Sequence, residues 1–338
     1  MSRIKKWLNK RIVLYVLLGI IVIVWLVFGL SRHWLSSCQD PGLSRQYDSK
    51  SFIGFESQRS FLFFDSKGQP YRLGCDYGVF YQYLCGIPIP ISEANYVIPL
   101  DKGVAFKRGT GDKAAVYVYK NFRKRSIKGE YTDITWEGSQ IILRNADNGE
   151  IFSYDNGVAN LLCQIEPLKP GSSCCAFLAS ERWIVVLTGE QRDGVLQIYD
   201  RAQEELRTLP LYAELHSVKL FLNNEVLVIV GGYQEENTVT MIELASNETH
   251  GIDLNMYYDE EAPINASAVI SENQSTMYLS VVTDPLPYLS YADTKATTIA
   301  VNMRDYTYEA IDNAFYASMF LKNGELYGIK KGIIVRIN

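Results

Sequence analysis

From about residue 60 to the carboxyl end the chain repeats one order of short apolar runs, and that repetition leaves few folds open. In residues 176–211 the runs are AFLAS, RWIVVLTGE, GVLQIYDRAQ and ELRTLPL. In 218–254 they are VKLFLN, NEVLVIVGGY, TVTMIELASN and HGIDL, and in 268–311 AVIS, STMYLSVVT, TTIAVNMRD and YTYEAI. A helical spacing of three to four never persists past a turn or two, while Val, Ile, Thr and Tyr crowd the runs. Both facts argue for strands. The same order extends back to units near residues 132, 95 and 60, and forward to one near 317 that stops after three runs. Successive units therefore start 35 to 50 residues apart. A four-stranded unit of that period cannot bury both of its faces alone, so neighbouring units must stack.

Turn chemistry agrees with the strand reading. Asp147-Asn148-Gly149, Asp155-Asn156-Gly157 and Lys322-Asn323-Gly324 supply the positive φ that tight hairpins need, and Lys67-Gly68 and Lys102-Gly103 do the same earlier. The last unit lacks a fourth strand. The segment SFIGFE at 51–56 is expected to supply it and so close a ring. The expected fold is all-β: about seven four-stranded blades over residues 51–338. With these runs and turns the chain resembles the broad β-propeller superfamily, in the sense of WD-repeat, YVTN and quinoprotein-like proteins. The resemblance is architectural. The WD dipeptide, the tryptophan-docking motif of quinoprotein blades and the Asp box are absent, so it implies a fold and no activity.

Before the repeats lies Ile12 to Leu30, nineteen residues without a charge, an amide or any hydroxyl except the Tyr15 phenol. As a helix this segment is about 28 Å long, close to the hydrocarbon thickness of a bilayer. Arg3, Lys5, Lys6, Lys10 and Arg11 precede it, while Arg32 alone follows closely. That asymmetry predicts a cytoplasmic amino terminus with the bulk of the chain outside, periplasmic or at the cell surface. Trp7 and Trp34 flank the segment where interfacial rings belong. The expected organisation is a basic stub (1–11), a transmembrane helix (12–30), a tether (31–50) and the propeller (51–338). A cleaved signal peptide is disfavoured by the length of the apolar run and the lack of an A-x-A-like site. Lipidation at Cys38 is disfavoured because Ser31-Arg32-His33-Trp34 separates its box from the apolar region.

Charge narrows the partners. The chain holds 33 basic and 38 acidic residues, and six of the basic ones lie in residues 1–32, which contain no acid. The remainder carries 27 against 38, net −11, and repels nucleic acid. Six cysteines suit an oxidising compartment. Cys75 with Cys85, and Cys163 with Cys174 or its neighbour Cys175, are the short-range pairings expected, although spacing does not decide connectivity. A zinc site at Cys163, Cys174 and Cys175 lacks both a fourth ligand and the usual spacing. His33, His216 and His250 fall in no ligand pattern, and no nucleophile elbow or phosphate-binding loop appears. The sequence gives no ground for a catalytic residue, a cofactor or a metal.

Two surfaces remain as candidates. Lys120, Arg123, Lys124, Arg125 and Lys128 form a basic third-to-fourth turn in an acidic domain, suited to anionic headgroups. If 51–56 is an outermost fourth strand, the tether enters from the face holding such turns, and that face lies nearest the membrane. On the opposite face Leu286, Tyr288, Leu289 and Tyr291 form an apolar, aromatic loop set, with Tyr257 and Tyr258 nearby. Tyrosine brings contact area at low entropic cost, which suits a protein partner. The function expected is a membrane-anchored interaction scaffold or envelope-assembly subunit. The alternative is a propeller that binds or cleaves surface carbohydrate, for which the only tryptophans after the anchor region are Trp136 and Trp183.

Overall fold

The computed structural model describes residues 15–22 and, between 52 and 337, twenty-eight strands with most of their turns; 1–14, 23–51, 232–237, 254–264 and 283–295 are the longest stretches outside the described residues. Residues 15–22 are helical. The rest of the expected 12–30 span and the 31–50 tether lie outside the described residues, and no helix among those described is long and apolar enough to cross a membrane.

The strands form seven antiparallel sheets among the described residues. The first holds β1 (Phe52–Ser57), β2 (Ser60–Phe64), β3 (Pro70–Asp76), β4 (Val79–Leu84) and β5 (Ile87–Glu93). The second holds β6 (Tyr96–Leu100), β7 (Gly103–Arg108), β8 (Ala115–Lys120) and β9 (Arg123–Ser126). The third holds β10 (Asp133–Glu137), β11 (Gln140–Arg144), β12 (Glu150–Asp155) and β13 (Val158–Gln164). Next come β14 (Ser173–Ala179), β15 (Trp183–Glu190), β16 (Asp193–Asp200) and β17 (Glu205–Tyr212). The fifth sheet is β18 (Lys219–Leu222), β19 (Val226–Val230), β20 (Thr238–Glu243) and β21 (Thr249–Asp253). The sixth is β22 (Asn265–Ile270), β23 (Thr276–Val282), β24 (Ala296–Asn302) and β25 (Tyr308–Asp312). The last is β26 (Met319–Lys322), β27 (Glu325–Lys330) and β28 (Ile333–Arg336). Each sheet pairs its strands in sequence order, as a chain of hairpins does.

Period-two alternation with both faces buried explains the stacking. In β19, Leu227 and Ile229 enter one apolar cluster with Val185, Leu187 and Ile198 of the preceding sheet. Val226, Val228 and Val230 point the other way, into a cluster with Met277, Leu279 and Ile299 of the following sheet. The β10–β13 sheet is shared in the same manner. Ile134, Trp136 and Leu143 pack towards β6–β9, and Ile142 and Ile151 pack towards β14–β17. The second strands β11, β15 and β19 are covered on both faces and read as continuous apolar runs, as in Trp183–Glu190. Outermost strands alternate or stay exposed, as in Glu205–Tyr212. Four-stranded antiparallel sheets stacked face to face in this way are consistent with a propeller.

The expected ring closure is corrected. β1 does not join β26–β28 as a fourth strand; it pairs antiparallel with β2, Phe55 opposite Phe61 and Ser57 opposite Ser60. Residues 58 and 59 alone link the two strands, so a hairpin forms locally and no chain is left to cross to the far edge of the last sheet. β1 lies against β26 and β27 without entering their ladder. The placement of the tether on one face loses its premise accordingly.

Turns behave as their residues require. Gly149, Gly157 and Gly324 have φ of 76°, 93° and 78°. A less legible turn recurs between third and fourth strands of three successive sheets. Glu204, Asn247 and Tyr306 close it with φ of 57°, 65° and 59°. Hydrogen bonds fix its shape: Asn247 N donates to Glu243 O at 2.9 Å, and Tyr306 N to Asn302 O at 2.8 Å.

Candidate interaction and membrane-facing surfaces

The basic residues are brought together on one hairpin. Lys120 ends β8 and pairs with Arg123, while Val118 pairs with Arg125. Directly opposed residues share a face of the sheet, so Lys120, Arg123 and Arg125 stand on one side of the β8–β9 pair. Lys124 is on the other side, its Nζ 5.2 Å from the Tyr117 ring centre and 3.3 Å from Ser92 Oγ. All four residues of β9 are exposed, as are Lys120 and Lys128. The charges thus lie on the outermost strand itself as well as beside its turn. Like charges opposite one another repel, and among the described residues no carboxylate forms an ion pair with Lys120, Arg123, Arg125 or Lys128. A charged outermost strand also resists pairing with a foreign edge.

Tyr257, Tyr258, Leu286, Tyr288, Leu289 and Tyr291 all fall outside the described residues. Their flanking strands are described: β21 and β22 bracket the first loop, and β23 and β24 the second. β22 and β23 are paired neighbours in one sheet, so the loop that enters β22 and the loop that leaves β23 start from adjacent positions, Asn265 opposite Val282.

The thiols occupy two settings. Cys75 is on β3 and Cys85 lies outside the described residues. Cys163 forms no disulfide, so the expected bridge from it to Cys174 or Cys175 is not formed among the described residues. Topology does bring the first two into one apolar cluster, Cys163 from β13 and Cys174 from β14, between facing sheets. Cys174 Sγ is turned to Ala176 O at 3.5 Å, and burial pushes the Cys163 thiol up to about 12. Both tryptophans are enclosed, Trp136 at 7% exposure and Trp183 at 2%. Neither offers a face to a sugar ring.

Sequence reasoning gave no role to His250, and the turn around it proves well connected. Tyr306 Oη donates to Glu243 Oε1 at 2.6 Å, Ser246 Oγ to Glu243 Oε2 at 2.9 Å, and the rings of His250 and Tyr306 stack at 4.0 Å. These bonds, the one from Tyr306 first, hold the Glu243 carboxyl below its ordinary range. Glu243, Glu248 and His250 are the group among the described residues whose ligand atoms, all within 4.8 Å of one another, have the geometry for a cation. Glu243 already accepts two hydroxyl donors with its two oxygens, so the arrangement serves as a clamp on the turn. Similar clamps join neighbouring sheets at this end: Arg201 Nη1 donates to Glu137 Oε2 at 2.7 Å, and Arg207 donates to Asn247 Oδ1 and Leu244 O. No spacing motif announces such contacts, because the partners come from different sheets.

The geometry defines an all-β protein of propeller-like construction. No family model matches the chain, and no curated relative matches it. Among solved structures it is similar to TolB from Acinetobacter baumannii, at 6% identity and a TM-score of 0.40, over 79% of this chain and 75% of that one. It is also similar to a protein from Bacteroides fragilis assigned as a 6-phosphogluconolactonase, at 14% identity and a TM-score of 0.45, over 86% and 94%. A third is the extracellular domain of a one-component system from B. thetaiotaomicron, at 13% identity and a TM-score of 0.44, where the match spans 83% of this chain and 42% of that one.

Proposed function

We propose that the chain is a single-pass, membrane-anchored scaffold whose seven sheets close into a propeller outside the cytoplasm and present loops to a protein partner in the membrane or envelope. The observation that carries the anchor is helix 15–22. Tyr15, Val16, Leu17, Leu18, Ile20, Ile21 and Val22 are each 48–66% exposed, so the helix is apolar all round and leaves that apolar surface uncovered by the described residues. Such a surface is unstable in water and suited to lipid. The uncharged sequence continues to Leu30, which gives it the length to span.

A rigid stack of sheets supplies position, and loops supply specificity, so binding requires no reacting group. The loops at 254–264 and 283–295 carry the partner set Tyr257, Tyr258, Leu286, Tyr288, Leu289 and Tyr291. Lys120, Arg123, Arg125 and Lys128 face anionic headgroups. Crosslinking of the full-length protein in its membrane tests this reading. A reproducible envelope protein joined through residues 255–295, and lost when Tyr288→Ala and Tyr291→Ala are combined, supports it. Unchanged capture by that double variant removes the patch, and capture of lipid alone removes the scaffold.

A further inference from the structure

We propose that the seam between the β10–β13 and β14–β17 sheets holds a small inorganic anion of about chloride size on the Nε–Nη2 edge of Arg144. Arg144 ends β11 and is 0% exposed, among the largest fully buried side chains described. Its Nη1 donates to Asp133 Oδ2 at 3.2 Å across the β10–β11 pair. Nε and Nη2 are buried, and no acceptor among the described residues reaches them. Those two nitrogens flank one edge of the guanidinium, and their N–H bonds run parallel, the fork that grips carboxylates and other anions side-on. Asp133, the carboxylate paired with Arg144 among the described residues, is already shared. Its Oδ1 accepts from Lys107 Nζ at 3.1 Å, and its Oδ2 also accepts from Thr132 Oγ1 at 3.2 Å.

Charge points the same way as the unpaired fork. Two cations, Lys107 and Arg144, meet one anion, Asp133, leaving one net positive charge at a site where the three side chains are 20%, 0% and 12% exposed. A buried guanidinium with unpaired donors is costly, and one counter-charge on the fork removes both the charge imbalance and the lost hydrogen bonds. Ile142 and Ile151, on the same face as Arg144, pack against Phe177 and Ile184 of the next sheet, and Thr135 and Ser153 on that face are buried as well, so the strand face carrying the fork is shut off from solvent. That enclosure favours a compact, weakly hydrated anion over a nucleotide, a sugar acid or a peptide carboxylate.

Thermal unfolding of the full-length protein in detergent, in NaF, NaCl and NaBr at matched ionic strength, tests the site. A higher midpoint in chloride and bromide than in fluoride is expected, with bromide located on Arg144 Nε and Nη2 by anomalous scattering from crystals. Arg144→Met should lose the halide-dependent rise. Lys107→Met lowers the local charge by one without emptying the core and should lose most of it, which keeps the test valid if the first variant fails to fold. Equal midpoints in all three salts, or a water molecule on the fork in the bromide crystals, would overturn the proposal.

Discussion

At the scale of single residues, the positions that matter most are polar groups placed at the ends of sheets. Asp200 has a side chain 4% exposed and accepts from Arg182 Nε and Nη2, the shortest bond 2.6 Å, besides the backbone amides of Ala202 and Gln203. The Arg182 hydrogen bond, ahead of those amides, holds its carboxyl below the ordinary range. A carboxyl depressed in the folded state contributes stability above the ordinary aspartate value of about 3.9, and loses it as pH falls through the lowered one. Urea titrations from pH 6 to 2 should therefore show a drop below about pH 4 that Asp200→Asn flattens, and Asp200→Ala should cost about 1–3 kcal/mol at neutral pH. Cys163 behaves in the opposite sense. With its thiol pushed up to about 12 by burial, it stays protonated where an exposed cysteine ionises, near pH 8.5. Mass spectrometry after iodoacetamide at pH 8.5 should find Cys175 alkylated well before Cys163. Equal rates would mean that β13 does not shield that thiol.

At the scale of elements, packing between facing strands sets the cost of change. Ile229 is 1% exposed within the cluster joining the fourth and fifth sheets, and Ile229→Ala should lose about 2–5 kcal/mol by removing buried methyls and leaving a cavity. Gly189 and Gly194 are cross-strand partners in β15 and β16, with Leu215 lying over both. A Cβ at Gly194 would stand 2.7 Å from Leu215 Cδ2 and 2.9 Å from Leu211 O, so Gly194→Ala should destabilise in urea titration while a change at open Gly251 should not. The hairpin elements were legible because their signals are local: alternation marks a strand, and Asn148-Gly149 marks positive φ whatever surrounds it. Inter-sheet clamps were not legible. Arg201 and Glu137 are 64 positions apart, and only the stacking of two sheets brings them to 2.7 Å. The expectation of a strand shared with the last sheet failed for a related reason: SFIGFE reads as a strand, but its two-residue link to β2 decides its neighbour, and apolar content says nothing of that choice.

At the scale of the whole molecule, the charges separate into a basic amino-terminal region and an acidic remainder, net −11 beyond residue 32. The β8–β9 hairpin is a local exception, and on our reading it rests on anionic lipid. Replacing Arg123 and Arg125 by Glu should weaken binding of the protein's 51–338 region, released from the full chain by a protease site in the tether, to phosphatidylglycerol vesicles by about tenfold or more at low salt. Vesicles of phosphatidylcholine should show no such difference. The central claim, that residues 12–30 anchor a domain held outside the cytoplasm, is tested most directly on sealed, right-side-out vesicles carrying the full chain with an epitope at each end. The account predicts that the protein stays in the membrane pellet at alkaline pH, that external protease removes the carboxyl-terminal epitope, and that the amino-terminal epitope survives until detergent is added. Release of the intact chain at alkaline pH, or protection of the carboxyl-terminal epitope, would contradict it.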